Sequence, residues 1–310
     1  MRAAVAQELG GIDSVRLAER PDPVPAAGQV LVRVRGAGVG PWDVGFLGGG
    51  FPGIALPFVP GQEIAGVVEE QAGDGTGFQP GERVYGVLFP AGGGFAELAV
   101  ASAERLAPMP GLASFEEAAG LVIGGGTAHD GLVDRGRLRA GETVLITAAA
   151  GGVGSCAVQI AAALGARPLC VASPGNHDYL RALGAREVFD YHDAGWAERV
   201  RDAVPGGVDL LFDGAGGETR DRAIGAVRDG GRAVTIALAG QPARAERGIT
   251  VEAFAARGDR RRLESLTRLV DAGALRPQVE AVLPIERARE ALARVAGQHT
   301  RGKVVLRVGQ

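Results

Sequence analysis

Hydrophobic and polar positions follow two different rhythms along this chain. Over roughly the first 120 residues, short Val-rich runs alternate from side to side: VLVRVRGAGV at 30–39, IAGVVEE at 64–70, RVYGVL at 83–88 and FAELAV at 95–100. Gly and Pro punctuate them, as in PGQE at 60–63 and PGERV at 80–84. Period-two patterning between turn residues predicts the strands of a small sandwich or barrel, because alternate side chains face opposite ways. From Gly141 the rhythm changes. Apolar runs at 143–148, 168–173, 187–191, 208–214 and 231–237 alternate with helical segments at 153–165, 177–184, near 194–203 and near 218–228. Strands alternating with helices of this length predict βαβ units and a parallel sheet. The tail then carries a helix near 259–272, with Leu263, Leu266, Leu269 and Val270 at helical spacing. A strand near 279–283, a helix near 285–296 and the strand KVVLRV at 303–308 follow. The fold class expected is α/β: a doubly wound parallel-sheet domain inserted into a β-rich domain that the C-terminal segment completes.

Composition narrows the chemistry. A chain of 310 residues suggests two domains at ~150 residues each. Its net charge of -3 carries no basic footprint, so no nucleic-acid partner is expected. No run of ~18 apolar residues predicts a membrane span, and MRAAVAQELGG lacks the apolar segment of a signal peptide. A cytoplasmic protein without a membrane partner is the expectation. Two cysteines, Cys156 and Cys170, make neither a disulfide framework nor a zinc knuckle and read as small buried residues. Lys303 is the one lysine, so Schiff-base catalysis has almost no candidate. None of the six serines sits in a G-x-S-x-G elbow.

The most informative stretch is TVLITAAAGGVGSCAVQIAAALGA. A strand runs into a loop carrying Ala148, Gly151 and Gly154 in A-x-x-G-x-x-G order, and a helix begins at once. Glycine there permits a tight turn and close backbone approach to a pyrophosphate, while the helix N-terminus offers free N–H groups and partial positive charge. With strand before, helix after and further βαβ units behind, the pattern predicts a dinucleotide site. An NAD site places an acid at the end of the second strand to hold the ribose 2′-hydroxyl. Here that strand ends at Ala172-Ser173, and no acid follows before Asp178. A hydroxyl tolerates a 2′-phosphate, which favours NADPH, with Ser173 and Asn176 as hydrogen-bonding partners. No Arg or Lys lies within Pro174-Gly175-Asn176.

Taken together, GAGVGPWDVGFLGG at 36–49, VPGQEIAGVV at 59–68, GERVYG at 81–86, GGTAHDGL at 125–132, the AAAGGVG loop and RGKVVL at 301–306 resemble the medium-chain dehydrogenase/reductase superfamily over nearly the whole chain. The likeness is to its zinc-independent quinone oxidoreductase branch. It implies a GroES-like catalytic domain at 1–122 and 258–310, and a Rossmann domain binding NADPH at 123–257, with the nicotinamide in the cleft between them. It also implies cofactor contacts from Thr127, Gly151, Gly152, Val153, Ser173, Asn176, Tyr191, Ala215 and Ala237. Zinc-dependent relatives carry Cys near Gly40 and His near Gln62. Both are missing here, and Gln is a poor zinc ligand, so no metal is expected. The reaction implied is hydride transfer to a quinone or to an α,β-unsaturated carbonyl, as in enoyl reductases. A binding protein without turnover, acting as a sensor or structural component, is the competing reading.

Three residues would line the substrate pocket: Gly40, Trp42 and Phe51. Where quinone-reductase relatives read like V-N-P-x-D, this chain has Val39-Gly40-Pro41-Trp42-Asp43, and a tyrosine found a little further on corresponds to Phe51. Both changes remove polar groups, so no catalytic side chain is assigned and solvent is the expected proton source, with His129 a weaker candidate. Trp42 could also be ordinary core, Asp43 structural, Thr127 a helix N-cap and Tyr191 strand-end packing. Lastly, ITVEAF at 249–254 reads as an apolar edge strand whose pairing with its own copy would make a homodimer.

Overall fold

The computed structural model describes residues 1–73, 75–237, 246–255 and 258–309. The chain divides into two compact units, one of Met1–Ile123 with Gly258–Gly273 and Pro277–Gln310, the other of Gly124–Arg257 with Ala274–Arg276. Residue 257, the expected end of the inserted domain, lies outside the described residues. Among the described residues no helix is long and apolar enough to cross a membrane.

From the N-terminus, β1 (Arg2–Ala6) and β2 (Val15–Glu19) precede the long strand β3 (Gln29–Val39). Helix α1 (Pro41–Leu47) follows at once. Pro41 opens it at a position needing no N–H partner, and the Asp43 carboxylate reaches back to accept the Gly40 N–H at 2.9 Å. Next come β4 (Glu63–Gln71), β5 (Arg83–Val87), β6 (Leu98–Ser102) and β7 (Leu106–Pro108). Helix α2 (Phe115–His129) leads into the second unit and runs on as a π-helical turn over Asp130–Arg135. There β8 (Thr143–Ile146), α3 (Gly154–Ala163), β9 (Arg167–Val171), α4 (His177–Ala182), β10 (Glu187–Phe189), α5 (Trp196–Ala203), β11 (Val208–Asp213), α6 (Gly217–Gly225), β12 (Val227–Thr235) and β13 (Thr250–Ala253) follow in order. The chain closes with α7 (Arg260–Asp271), β14 (Val279–Pro284), α8 (Ala288–Ala296) and β15 (Lys303–Arg307).

The first unit is built around β3. One edge of that strand pairs antiparallel with β4. Its other edge is shared, with β6 on residues 29–33 and β15 on residues 36–39. The C-terminal strand is therefore a central member of the first unit's sheet, whose order is β14-β15-β3-β4-β5-β7. Alternating Val30, Val32 and Val34 point into a core with Ile64, Phe78, Phe95, Leu106, Leu292 and Leu306. Tyr85, also buried, gives its hydroxyl to the Leu263 carbonyl at 2.6 Å, which satisfies the one polar atom it carries inward.

In the second unit all six strands are parallel, in the order β10-β9-β8-β11-β12-β13. Strands wind outward from β8 in one direction and from β11 in the other, which is the doubly wound topology, with its switch point between β8 and β11. Strand β11, VDLLFD, is buried along nearly its whole length, as expected of a strand inside a parallel sheet. Cys156 and Cys170 both lie in this interior, and burial pushes the Cys170 thiol far above its ordinary range.

Candidate functional site

In open α/β sheets, ligands lie beyond the carboxyl ends of the strands at the switch point. Most of the expected cofactor residues stand on that edge. Tyr191 follows β10, Ser173 follows β9, Gly151, Gly152 and Val153 follow β8, Ala215 follows β11 and Ala237 follows β12. Read along the sheet order, they form one row of strand ends. The loop after β8 has the geometry its glycines predict. A Cβ on Gly154 would lie 2.4 Å from the Ala148 carbonyl oxygen, so helix α3 meets the strand end more closely than any side chain allows. Ala148 itself takes φ 50°, in the left-handed region. Val153 caps α3 without a side-chain hydrogen bond, and the Ser155 N–H of the first turn donates to the Gly151 carbonyl at 2.9 Å. These residues fit a dinucleotide pyrophosphate.

Past β9, the Asn176 side chain donates to Ser173 Oγ at 3.0 Å, joining the two residues expected at the ribose. Arg181, one turn on, pairs with Asp178 at 2.9 Å, both exposed. Tyr191 is 42% exposed and its ring lies 4.1 Å from that of His192, so it is not packed into a strand end. Thr127 is buried near the C-terminal end of the 15-residue helix α2, which rules out the N-cap alternative. Helix α2 approaches the phosphate loop directly: a Cβ on Gly124 would stand 2.6 Å from the Gly152 carbonyl oxygen. His129 is half-buried at the end of the same helix.

One residue that sequence reasoning missed organises this edge. The buried Asp213 carboxylate accepts from the Thr147 hydroxyl at 2.7 Å, the Thr235 hydroxyl at 2.7 Å, the Ala215 N–H at 3.1 Å and the Gly216 N–H at 3.1 Å. A carboxylate can accept about four such bonds. Asp213 therefore ties the ends of β8, β11 and β12 to the loop carrying Ala215. Its signal was in the sequence: an acid ending an otherwise apolar strand has to find donors.

The three residues expected to line a substrate pocket lie in the first unit. Phe51 stacks on Phe46, with ring centroids 4.1 Å apart, and meets Phe89 edge-on at 6.3 Å. Trp42 is half-buried. A Cβ on Gly40 would lie 2.1 Å from Trp42 Cε2, so the indole occupies the space a side chain at position 40 would fill. Asp43 is structural in geometry: it accepts from Gly40 N at 2.9 Å and Gly61 N at 3.0 Å, pinning the segment before α1 to the segment before β4. Burial pushes its carboxyl up to about 7, against the pull of those two hydrogen bonds.

Beside it lies a second arrangement the sequence did not announce. Lys303 forms a buried ion pair with Glu63, and its Nζ sits 4.6 Å from the Trp42 ring centroid. Glu63 also accepts the Ile123 N–H at 2.8 Å. Burial raises the Glu63 carboxyl above its ordinary range despite the Lys303 charge. Gly38 makes room for this pair, since a Cβ there would lie 2.6 Å from Glu63 Cγ. Gln62, one residue earlier, is fully buried. Among the described residues no group of three His, Cys, Asp or Glu side chains could hold a metal ion.

Comparison with known proteins agrees with this construction. The family described as "Alcohol dehydrogenase GroES-like domain" matches residues 26–111, and that described as "Zinc-binding dehydrogenase" matches residues 183–306. The chain is 38% identical over 309 residues to the spectinabilin polyketide synthase system protein NorB of Streptomyces orinoci, covering 96% of this chain but 14% of that protein. It is 33% identical over 246 residues to the quinone oxidoreductase of Mus musculus, covering 77% of this chain and 74% of that one. A solved NAD-dependent alcohol dehydrogenase superposes with a TM-score of 0.94 at 31% identity, over 100% of both chains. The chain belongs to the medium-chain dehydrogenase/reductase superfamily and is quinone oxidoreductase-like within it.

Proposed function

We propose that this chain is a zinc-independent, NADPH-dependent oxidoreductase whose acceptor is a quinone or an α,β-unsaturated carbonyl, as in enoyl reductases. The observation that carries the reading is the Trp42 indole lying over Gly40. With 2.1 Å between a would-be Cβ and the ring, neither a thiolate nor an amide fits at that position unless the indole moves. Gln62 offers an amide where a strong metal ligand would be needed. An acceptor that is already electrophilic needs no Lewis acid, which is why quinones and enones suit such a wall. Trp42, Phe51 and Phe89 supply flat apolar surface for a planar ring, with the buried Phe46 stacked behind Phe51.

The backbone of Gly151–Val153 would hold the pyrophosphate, Ser173 and Asn176 the ribose phosphate, and the loops at Ala215 and Ala237 the nicotinamide end. When bound, the reduced nicotinamide supplies the hydride. The protein's part is to fix the geometry and keep water out. Gly40 and Phe51 carry no proton to give, so the proton comes from solvent. His129→Ala is then expected to change the rate by less than about tenfold, short of the ~10²–10⁴-fold typical of a general acid. The reading extends to a homodimer paired through β13.

The deciding experiment follows NADPH oxidation over a panel of quinones and enones, with elemental analysis of the same preparation. Turnover with well under one zinc per chain supports the reading. NADPH binding without turnover on any acceptor would favour a sensor or structural component instead.

A further inference from the structure

Among the described residues of the first unit, the buried atoms Trp42 Nε1, Gln62 Nε2 and Gln62 Oε1 make no hydrogen bond. Leaving a buried donor or acceptor unpaired is costly, so three such atoms on two residues call for a physical reason. Two bridges, one on either side of Gln62, link its chain neighbours to Trp42 and to the Gly40 that the indole covers. The Asp43 carboxylate joins Gly40, whose Cα the indole covers, to Gly61, which precedes Gln62. Lys303 joins the Trp42 ring to Glu63, which follows Gln62. Each bridge is itself buried, which limits the movement of the backbone on either side of Gln62. The ring edge packed over Gly40 includes Cε2, the carbon bonded to Nε1.

We infer that the Trp42 indole N–H and the Gln62 amide N–H form a two-donor seat for the substrate's carbonyl oxygen. The inference rests on the quinone or enone reading above and names the groups that polarise that acceptor. As hydride adds to the β-carbon of an enone, the alkene electron pair shifts and negative charge collects on the carbonyl oxygen, leaving an enolate. A solvent proton then completes the reduction. Two fixed donors at that oxygen stabilise the charge as it develops, and they do so best where water is excluded. Gln62 Oε1 remains to accept the hydroxyl hydrogen of an enol or hydroquinone product. The seat selects for a carbonyl oxygen flanked by flat apolar surface and gives nothing to a plain alkene.

The chain has two tryptophans, Trp42 and the fully buried Trp196 of the second unit, so its indole N–H region contains one test signal and one internal control. The experiment titrates 2-cyclohexen-1-one into the 15N-labelled full-length protein with saturating NADP+, which cannot donate hydride. Trp42→Phe assigns the signals. The Trp42 N–H signal is expected to shift downfield and saturate while that of Trp196 stays. In parallel, Trp42→Phe and Gln62→Leu should each lower kcat/KM for the reduced panel member by about 10²-fold, the low end for loss of one oxyanion donor. NADPH affinity should stay within twofold of wild type. An unmoved Trp42 signal overturns the seat, as would variants that keep kcat/KM within threefold. If the wild-type protein reduces no quinone or enone at all, the functional reading falls, and the indole titration alone decides the seat.

Discussion

Glu63 and Lys303 show how much a single residue can hold here. Each is charged, each is buried, and the pair sits between β4 and β15 with the Trp42 ring beside it. Removing one partner of such a pair strands the other charge, which costs about 3–5 kcal/mol, whereas removing both is often nearly neutral. Lys303→Met is therefore expected to destabilise the chain by about that amount, and Glu63→Gln with Lys303→Met to recover most of it, as read by chemical denaturation. Asp43 makes a second prediction. Its carboxyl holds its proton up to about pH 7 when folded, against an ordinary value of 3.8. Between those values the folded chain binds more protons than the unfolded one, so stability falls as pH rises from about 4 to about 7. Denaturation midpoints across that range should show the slope, and Asp43→Asn should flatten it. Glu63, raised by burial in the same direction, keeps part of it. Residues like these are hard to read from a sequence. Lys303 was legible only as a solitary lysine, because its partner lies 240 positions away. Gly40 was legible as a missing polar group, but the indole that fills its space was not.

Elements were most legible where their period was uninterrupted. The parallel strands and the helices between them have long apolar runs, and the A-x-x-G-x-x-G loop sits in the strand-loop-helix setting that its chemistry requires. Helix α2 was not predicted, since Gly124, Gly125 and Gly126 interrupt it. The clearance of Gly124 against the Gly152 carbonyl supplies the reason: propensity gave way to a close approach. Strand β12 begins at Val227, where a helix was expected to run to 228, and its register shifts before Arg232 with Gly230 at φ 66°. Strand β6 starts at Leu98, because Phe95 instead bonds back to the Pro60 carbonyl. Two predictions belong to strand ends and edges. Ser173→Asp, just past β9, would set a carboxylate against a ribose phosphate. NADPH affinity should fall at least tenfold relative to NADH in a nicotinamide fluorescence titration, by the logic that places an acid in NAD sites. Among the described residues strand β13 is the last of its sheet, with Thr250, Glu252 and Ala253 exposed and Val251 partly buried. Val251→Pro should convert the proposed dimer to a monomer in light scattering at micromolar concentration. An unchanged dimer would put the interface elsewhere.

At the scale of the whole chain, two units divide the labour. The second gathers backbone N–H groups and short side chains along one sheet edge, and the first gathers an aromatic wall with a buried charged network behind it. The chain returns to the first unit to finish it, and β15, laid against β3, delivers Lys303 to Glu63. This has a practical consequence. Lys303 is the only side-chain amine in the protein, and it is 7% exposed. Apart from the α-amino group, the folded protein presents no exposed amine to amine-reactive reagents. It becomes reactive only when β15 parts from its neighbours. The rate at which the 303-containing peptide gains label, followed by mass spectrometry under native conditions, should therefore track the opening of that one strand. It should slow whenever a ligand holds the first unit closed, so the protein carries its own gauge of local unfolding in its solitary lysine.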